Sequence, residues 1–504
     1  MPETTAQHRT PPHYRGGAAT GAPRLAGLPG VHRAEQLPVE VHETERYDTD
    51  DLRLALAGIT LSRHHADGAV QWQLDLPDGE DRERLRIPAG TAQPPEEIDA
   101  LVRGAARDRT VRPVGHARTT RTVIRLRDQR DRLLAEVVHD AVSVATLGSC
   151  TEVRSWTEAA VLPLDAPAEL LSELATRLAD DGLRPAAPAT AAELDRLLHP
   201  APPHRRTGPK GTAGAELMRY LATHVDRLAA ADLSVRRDEP DAVHRMRVAA
   251  RRLRSALRAY RPLLDRECTD PIVDGLRTLG RELAPARDAE VLRERIATGL
   301  ADLPAQLRLG PAEAMATRHF ARTEAEARAA VLTELDGDRY AQLRTALDAL
   351  LEDPPLTGRA ARPARRELPA VAARSARRLE RAMARATDPG TPAADRDAAV
   401  HAARKAGKRL RYATEVARPA VGRPAKRFAA GLKGFQSALG EHQDTVVARE
   451  ALRELGAATT GAGENGFSFG VLLGRDLARA AEIERELPAL WSSAWRRKRR
   501  RWLR

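Results

Sequence analysis

Two segments of the chain repeat one polar code, in which a histidine is followed by cations three, seven and ten residues later. The code comprises His244, Arg247, Arg251 and Arg254 in the first segment, and His401, Arg404, Lys408 and Arg411 in the second. On an α-helix these offsets place the four side chains in one narrow stripe. No acidic residue lies between Arg245 and Arg261, or between Arg404 and Arg411, to relieve the like charges. Because such stacking destabilises a helix unless an anion lies there, the two stripes predict an anion-binding site.

The repeat continues downstream of both stripes. Three further pairs of positions are 156 residues apart, one residue fewer than the separation of the two stripes: Leu283 and Leu439, Asp288 and Asp444, and Arg277 and Lys433. Each unit therefore predicts a cationic helix, a second helix, and an aspartate that opens a further helix as its N-cap. The alternative role for these two aspartates is an ion pair that orients stripe arginines. Two such units predict a pseudo-symmetric helical domain whose stripes can face one another.

The overall composition is basic, but the total charge is weak evidence for function. The 504 residues carry a net charge of +12, and only six of the 82 Lys plus Arg are lysines. Arginine at this excess is typical of a genome-wide bias, so the positions of the cations carry the prediction. Cys150 and Cys268 are too few for a disulfide framework or a Cys-rich metal site. With no secretory signal and no apolar run that could span a bilayer, we expect a soluble, cytoplasmic bacterial protein.

Periodicity divides the chain into a β-rich part and a helical part. Alternation in VEVHETERY and AVQWQLDLP predicts strands, and RTVIRLRDQRDRLLAEVVHDAVSV predicts a hairpin that turns near residues 128–131. The predicted fold class is multidomain α+β, with an antiparallel β-barrel-like domain followed by an all-α bundle of two pseudo-symmetric repeats. The predicted boundaries are a disordered N-terminus at 1–35, the β domain at 36–198, a linker at 199–214, the helical domain at 215–500 with repeats at about 215–350 and 365–495, and a basic tail at 495–504.

Four sequence segments in the helical part are similar to those of a known family. They are DAVHRMRVAARRLRSALRAY, PARDAEV, HAARKAGKRLRYATE and GEHQDTVV. They resemble the CHAD domain, the conserved histidine α-helical domain, over about residues 215–500. The resemblance implies a helical bundle whose basic groove binds inorganic polyphosphate. Carried over position by position, the implied groove residues are His244, Arg247, Arg251, Arg252, Arg254, Arg277, His401, Arg404, Lys408, Arg409, Arg411 and Lys433.

The N-terminal part resembles the CYTH family, a triphosphate-tunnel β-barrel. The matching phrases are YDTDDLRLALAGITLSR, WQLDLP, AEVVHDAV and SWTEAAVLPL. The resemblance implies a Glu-x-Glu-x-Lys strand whose acids hold a metal, yet no such strand lies ahead of Tyr47. Asp75 occupies a position where members of the family have a lysine, and Arg84 a position where they have a glutamate. In the last strand, where the family has several carboxylates, this chain has only Glu158. Because tunnel hydrolysis needs carboxylates to hold divalent cations, we expect a degenerate, non-catalytic domain.

Binding of polyphosphate without turnover is therefore the predicted function. We expect no catalytic residue, no metal and no cofactor, and His244 and His401 to donate to phosphate when protonated rather than to serve a purely structural role. One alternative is a metal-dependent triphosphatase or polyphosphate-processing enzyme in the β domain. Its positive charge would come from Arg63, Arg82, Arg84, Arg86, Arg118, Arg121 and Arg125. The second alternative is a nucleic-acid-binding protein. Other polyanions as partners and association with polyphosphate granules are further expectations, and the sequence sets no oligomeric state.

The C-terminal segment WRRKRRRWLR concentrates positive charge. It holds seven cations between Arg496 and Arg504, flanked by Trp495 and Trp502. Three roles are open: an extension of the anion site, a nucleic-acid patch with aromatic stacking, or a contact with an acidic membrane surface. We favour the first, because it adds to an anion site that the stripes already predict.

Overall fold

The structure of the protein is a computed structural model that describes residues 11–66, 68–78, 81–107, 109–148, 151–200 and 204–503. The chain divides into two compact units, Met1–Pro202 and Pro203–Arg504, which we call the β unit and the helical unit. This architecture confirms the predicted order of an antiparallel sheet domain followed by a helical domain. No helix in the described ranges is long and apolar enough to cross a membrane.

The β unit is built on one ten-stranded sheet with antiparallel pairings. Its strands are β1 (His13–Gly17), β2 (Arg33–Gln36), β3 (Glu40–Asp48), β4 (Thr60–Ala66), β5 (Ala69–Asp78), β6 (Asp81–Pro88), β7 (Arg112–Arg127), β8 (Leu133–Thr146), β9 (Val153–Pro163) and β10 (Arg184–Pro185). Their spatial order is β10-β1-β9-β8-β7-β3-β4-β5-β6, and β2 pairs with β7. The hairpin predicted at residues 128–131 is confirmed as the β7–β8 connection.

Four helices accompany this sheet: α1 (Arg53–Leu56), α2 (Glu96–Ala106), α3 (Ala168–Asp180) and α4 (Thr190–Leu197). Leu170, Leu174 and Leu178 recur at four-residue spacing on α3 and are fully buried. They pack in one core with sheet residues such as Leu126 and Val137. The alternation of the strands and the period of α3 thus supply the two sides of one apolar layer.

The prediction of disorder for residues 1–35 is wrong over its described part. Strand β1 pairs with β9 on one side and β10 on the other, with Tyr14 opposite Ala159. Tyr14, Leu25 and Leu28 are buried in the core beside α3. These few apolar side chains are enough to hold the segment in the sheet, because the backbone N–H and C=O groups of β1 bond to two neighbouring strands. Residues 1–10 lie outside the described ranges.

The helical unit contains eleven α-helices in its described residues. They are α5 (Ala213–Arg236), α6 (Ala242–Ala259), α7 (Arg266–Glu282), α8 (Ala284–Ala301), α9 (Ala312–Asp336), α10 (Asp338–Glu352), α11 (Ala364–Ala386), α12 (Ala393–Val421), α13 (Arg423–Gly461), α14 (Phe467–Ala494) and α15 (Arg497–Arg500). Ahead of α5, residues 204–211 form neither helix nor strand, and Arg206 N donates to Leu351 O at 2.9 Å. Within the larger core, α5, α6 and α12 pack on one another through leucine and alanine side chains.

The two helical repeats differ at one turn. In the first repeat α7 ends at Glu282 and α8 begins at Ala284, with Pro285 in its first turn. The matching position of the second repeat is Glu441, and α13 runs through it without a break. Proline lacks the N–H of a continuing helix and is tolerated at a helix start, whereas glutamate interrupts nothing. Asp288 and Asp444 therefore both lie inside helices, and the prediction that they open helices as N-caps is wrong.

Candidate anion-binding site

Helix α6 presents its stripe on the side away from the core. Met246, Ala250, Leu253 and Leu257 are buried on the opposite side at helical spacing. The stripe residues His244, Arg247, Arg251 and Arg254 are all partly exposed. Burial of the apolar face therefore fixes the direction in which the four polar side chains point.

Helix α12 divides its side chains in the same way. Ala403, Leu410 and Ala413 are fully buried. Of the stripe residues, His401, Arg404 and Lys408 are partly exposed, and Arg411 is exposed. The second copy of the polar code therefore also lies on one accessible face of a helix packed into the core.

The two stripes meet where α6 and α12 pack together. Arg251 Nε donates a hydrogen bond to Tyr412 Oη across this boundary at 2.9 Å. Burial lowers the pKa of Arg404 and Lys408, and the positive charge of Arg251 on the other helix lowers both further. Arg251 on α6 and Arg404 and Lys408 on α12 therefore lie close together, and we call the surface around them the groove.

Carboxylates neutralise four of the predicted groove cations. The ion pairs are Arg247 with Asp288 at 3.1 Å, Arg252 and Arg411 with Glu415 at 3.4 and 3.1 Å, and Arg277 with Asp274 at 3.4 Å. Arg277 and Arg411 are also exposed. Exposed pairs contribute little energy, so Arg277 and Arg411 can exchange partners with an anion at low cost.

The remaining predicted cations have no carboxylate within 4.0 Å among the described residues: Arg251, Arg254, Arg404, Lys408, Arg409 and Lys433. Lys433 is exposed on α13. We call the other five, which lie on α6 and α12, the open cations. Arg404 Nε is buried and has no hydrogen-bond partner in the described part of the chain. A buried donor without an acceptor costs free energy, which a ligand oxygen bonded to Arg404 would offset.

The electrostatics of the open cations show an excess of positive charge. Burial and neighbouring cations lower the pKa of Arg254, Arg404, Lys408 and Arg409. For Lys408, burial and then the charges of Arg251 and Arg404 bring the pKa down to about 7. An anion in the groove would offset both causes, because it supplies opposite charge and hydrogen-bond acceptors.

The two histidines lie at the same end of both stripes. Burial lowers the pKa of His244, and the charges of Arg287 and Arg251 add to the effect. Burial also lowers the pKa of His401, together with the charge of Lys405. His401 Nδ1 is hydrogen-bonded to Gln443 Oε1, which leaves Nε2 to act toward a ligand. In the neutral ring Nε2 is an acceptor, so donation to phosphate requires protonation.

Asp288 takes the alternative role that the sequence left open for it. It accepts a hydrogen bond from Arg247 Nη1, which also donates to Ala284 O at 3.1 Å. The negative charge of Asp444 raises the pKa of both Arg404 and Lys408, although burial and neighbouring cations lower it more. Burial raises the pKa of Asp444 itself. In the first repeat the aspartate thus pairs with a stripe cation, whereas in the second it stays beyond ion-pair distance of both.

Three further residues shape the groove and were not predicted from sequence. Tyr412 accepts the hydrogen bond from Arg251, Glu415 neutralises Arg252 and Arg411, and Gln443 holds His401. Glu415 stands four residues after Arg411, which is a spacing that indicates an ion pair on a helix. Tyr412 and Gln443 act across helix boundaries, and no local pattern could have shown their partners.

One cluster of possible metal ligands lies in the helical unit. Nε2 of the buried His442 is 3.0 Å from Glu484 Oε1 and 3.5 Å from Asp397 Oδ1. Arg449 already donates to both carboxylate oxygens of Asp397, at 3.2 and 3.3 Å. The arrangement serves equally as a hydrogen-bonded clamp among α12, α13 and α14, since His442 bridges their side chains.

In the β unit, most of the candidate cations are already paired. The ion pairs are Arg63 with Glu45 at 3.3 Å, Arg84 with Asp75 at 2.7 Å, Arg118 with Glu43 at 3.7 Å, Arg121 with Asp140 at 2.8 Å, and Arg125 with Glu136 at 2.8 Å. Arg86 donates to Gln73 Oε1 at 3.4 Å. Glu158 accepts from Trp156 Nε1 at 2.7 Å and from Ala189 N at 3.0 Å. These carboxylates are therefore engaged in bonds within the unit.

The aromatic rings of the C-terminal segment belong to the core. Trp495 and Trp502 pack against Phe428, with ring centroids 5.9 and 5.7 Å apart. Arg500 lies over the Trp495 ring and is 2.7 Å from Glu380. Both rings are partly buried against the core, and this packing competes with stacking on bases. Its exposed cations include Arg496, Arg497 and Lys498.

The helical unit is thus a bundle of two repeats that carry a shared cationic surface. The CHAD domain profile matches residues 219–453, which include both stripes. Two uncharacterized proteins from two strains of Mycobacterium tuberculosis are each 32% identical over 493 residues, covering 94% of this chain and 93% of theirs. The chain belongs to the CHAD domain family.

Two solved structures are also similar to the chain. PptA from Streptomyces chartreusis is 22% identical with a TM-score of 0.46, covering 56% of this chain and 99% of its own. The CHAD domain from the plant Ricinus communis is 25% identical with a TM-score of 0.45, covering 55% of this chain and 90% of its own. The family assignment stands on the profile and on the full-length relatives.

Proposed function

We propose that the protein binds inorganic polyphosphate in the groove, without turning it over. The observation that carries this proposal is the set of five open cations on two facing helices. Polyphosphate is a regular row of singly charged phosphates without bases, and arginine binds such oxygens by charge-assisted, often bidentate, hydrogen bonds. Membership of the CHAD family supports the same ligand.

The length of the groove favours a chain over a single anion. Each stripe extends over ten residues of helix, which corresponds to about 15 Å at the rise of an α-helix. The open cations occupy part of this length, about 4.5 Å from Arg251 to Arg254 on α6 and about 7.5 Å from Arg404 to Arg409 on α12. A ligand that contacts both helices at once gains from the high effective concentration of its second site, which a monomeric phosphate cannot do.

The β unit acts in this proposal as a non-catalytic part of the protein. Five of its seven candidate arginines are paired with carboxylates within the unit, and Asp75 and Arg84 stand where the resemblance expects a lysine and a glutamate. Metal-dependent hydrolysis needs free carboxylate oxygens for a divalent cation. Both oxygens of Asp75 and Oε1 of Glu158 accept hydrogen bonds within the unit.

The test compares long-chain polyphosphate binding by the full chain and by Arg251→Ala plus Arg404→Ala. The loss of two charge-assisted contacts should weaken binding by about tenfold or more. The matched control replaces Arg318 and Arg453, which are exposed and outside both stripes, so it removes the same charge elsewhere. Equal weakening in both variants would show that total charge binds the ligand, and the groove would then be wrongly assigned. Circular dichroism checks that each variant keeps its helices.

A further inference from the structure

A third cationic stripe lies on α11, the helix that precedes α12 in the second repeat. Its members follow one another at offsets of zero, four, seven and eleven residues, which places them on one face of the helix: Arg374, Arg378, Arg381 and Arg385. Leu379 and Met383 are buried on the opposite face, in the core that α11 shares with α12. We call these four arginines the α11 stripe.

The α11 stripe has no carboxylate within 4.0 Å among the described residues. The two acidic residues of α11 neutralise cations outside the helix instead. Glu367 pairs with Arg359 at 2.6 Å, and Glu380 pairs with Arg500 at 2.7 Å. In the partly buried Arg374, Nη2 is buried and has no hydrogen-bond partner in the described ranges. Ligand oxygens on this face would offset the cost of that donor and of the stacked charges.

The corresponding helix of the first repeat shows that the fold does not require such a stripe. Helix α5 precedes α6 as α11 precedes α12, and two of its three arginines pair with acids of the same helix. Arg236 pairs with Asp232 at 2.8 Å, and Arg219 pairs with Glu216. A general bias toward arginine acts on both helices, so it does not explain why the α11 stripe lacks countercharges.

The α11 stripe lies next to the groove, because α11 packs against both α12 and α6. Arg258, in the last turn of α6, is exposed and also has no carboxylate within 4.0 Å in the described part of the chain. Burial, and then the charges of Arg258 and Arg378, lower the pKa of the open cation Arg409. Burial and the charge of Arg258 lower the pKa of Arg254 in the same way. Positive charge therefore continues from the open cations past Arg258 to the α11 stripe.

We propose that the α11 stripe is a second segment of the polyphosphate site, onto which a long chain bound in the groove continues. This inference rests on the proposed binding of polyphosphate in the groove. The stripe adds about 16.5 Å along the axis of α11 at the rise of an α-helix. A short chain fills the groove alone, whereas a long chain gains the second segment at high effective concentration. The protein should therefore select long chains over short ones.

The composition of α11 favours polyphosphate over a nucleic acid as the occupant. No tyrosine, tryptophan or phenylalanine lies in Ala364–Ala386, so the helix offers no aromatic ring on which a base could stack. Arginine forks bind the oxygens of a phosphate chain without any base. The stripe thus has the donors that polyphosphate needs and lacks the rings that single-stranded nucleic acids use.

The experiment measures the affinity of the full chain for tripolyphosphate and for long-chain polyphosphate. The test variant is Arg378→Ala plus Arg381→Ala, because both side chains are exposed and their removal leaves the core intact. The loss of two exposed contacts should weaken long-chain binding by about fivefold, and tripolyphosphate binding should stay within about twofold. No loss for the long chain, or the same loss for both ligands, would overturn the inference.

Two controls separate this surface from total charge and from a nucleic-acid site. Arg318→Ala plus Arg453→Ala removes the same charge elsewhere, and an equal loss in this variant would overturn the inference. A single-stranded oligodeoxynucleotide is the third ligand. If the test variant weakens its binding more than that of long-chain polyphosphate, the surface is a nucleic-acid site and the inference fails. Circular dichroism checks that each variant keeps its helices.

The groove variant Arg251→Ala plus Arg404→Ala is measured on the same three ligands. If it weakens both phosphate ligands while the α11 variant weakens neither, the proposed function stands and the inference fails. If only the α11 variant weakens long-chain binding, the α11 stripe stands as a polyphosphate surface and the proposed groove fails.

Discussion

The binding of polyphosphate should be coupled to proton uptake, and Lys408 allows the size of the coupling to be worked out. Its pKa in the empty groove is about 7, because of burial and the charges of Arg251 and Arg404. A bound phosphate favours the charged amine and moves the pKa back toward the ordinary value of about 10.4. The bound state then holds more protons than the free state, so affinity must rise as the pH falls.

The magnitude follows from the two pKa values. At pH 7 about half a proton is taken up per bound site, and at pH 8 about nine-tenths of a proton. Affinity should therefore increase by about fivefold between pH 8 and pH 7 through Lys408 alone. His244 and His401 add to the uptake only at lower pH, because the pKa of each is lowered by burial and by neighbouring cations. Their protonation supplies two more donors to phosphate.

The assay is calorimetric titration with long-chain polyphosphate at pH 7 and pH 8, in two buffers of different ionisation enthalpy. The dependence of the observed heat on the buffer gives the number of protons taken up. Lys408→Arg is the control, since an arginine stays charged over this range and should reduce the uptake at pH 8 to near zero. Uptake of no proton by the unmodified chain, or the same uptake by the variant, would refute the assignment of the amine.

Three more outcomes are expected. The full chain should release no phosphate from triphosphate with Mg²⁺ or Mn²⁺, because Asp75 and Glu158 are engaged within the β unit; turnover that disappears in Glu158→Gln would contradict this. Long-chain polyphosphate should raise the unfolding midpoint more than the same total phosphate supplied as monomer, by mass action on a two-helix site, and equal shifts would point to isolated anion sites. Trp502→Ala should lower the free energy of unfolding by about 2 kcal/mol in a denaturant titration, because the aromatic packing on Phe428 is lost. The affinity for polyphosphate should stay within about twofold of that of the unmodified chain. A large loss of affinity without loss of stability would show that the ring takes part in binding.

The repeated polar code was sufficient to predict which side chains share a helix face. A helix of known period fixes the relative direction of residues three, four and seven apart, and this explains why the cations of α6 and α12 lie opposite their buried alanines and leucines. The code could not show which cations are neutralised. The partners Asp288 and Glu415 come from other turns or other helices, and only the packed structure brings them to Arg247 and Arg252.

Two predictions differ from the structure for local physical reasons: the disorder of the N-terminal segment and the N-cap role of the two aspartates. The Pro, Gly and Thr around residues 13–17 favour disorder, whereas pairing with β9 and burial of Tyr14 decide their structure. Neither aspartate opens a helix: Asp288 lies in the second turn of α8, which begins at Ala284, and Asp444 lies in the middle of α13, because Glu441 stands where the first repeat has Pro285. Strand pairing in the β unit and one residue difference between the helical repeats thus outweighed the preferences of the local sequence.

The central claim is that the open cations of the groove bind polyphosphate, and the salt dependence of binding tests it most directly. For five phosphate contacts, a plot of the logarithm of the association constant against the logarithm of the salt concentration should have a slope of about −3.5, by analogy with single-stranded nucleic acid. Replacing Arg404 and Lys408 with alanine should reduce the steepness by about 1.4, whereas replacing Arg318 and Arg453 should leave it unchanged. An equal slope in the groove variant and in the unmodified chain would contradict the claim, because the released counterions would then come from another surface.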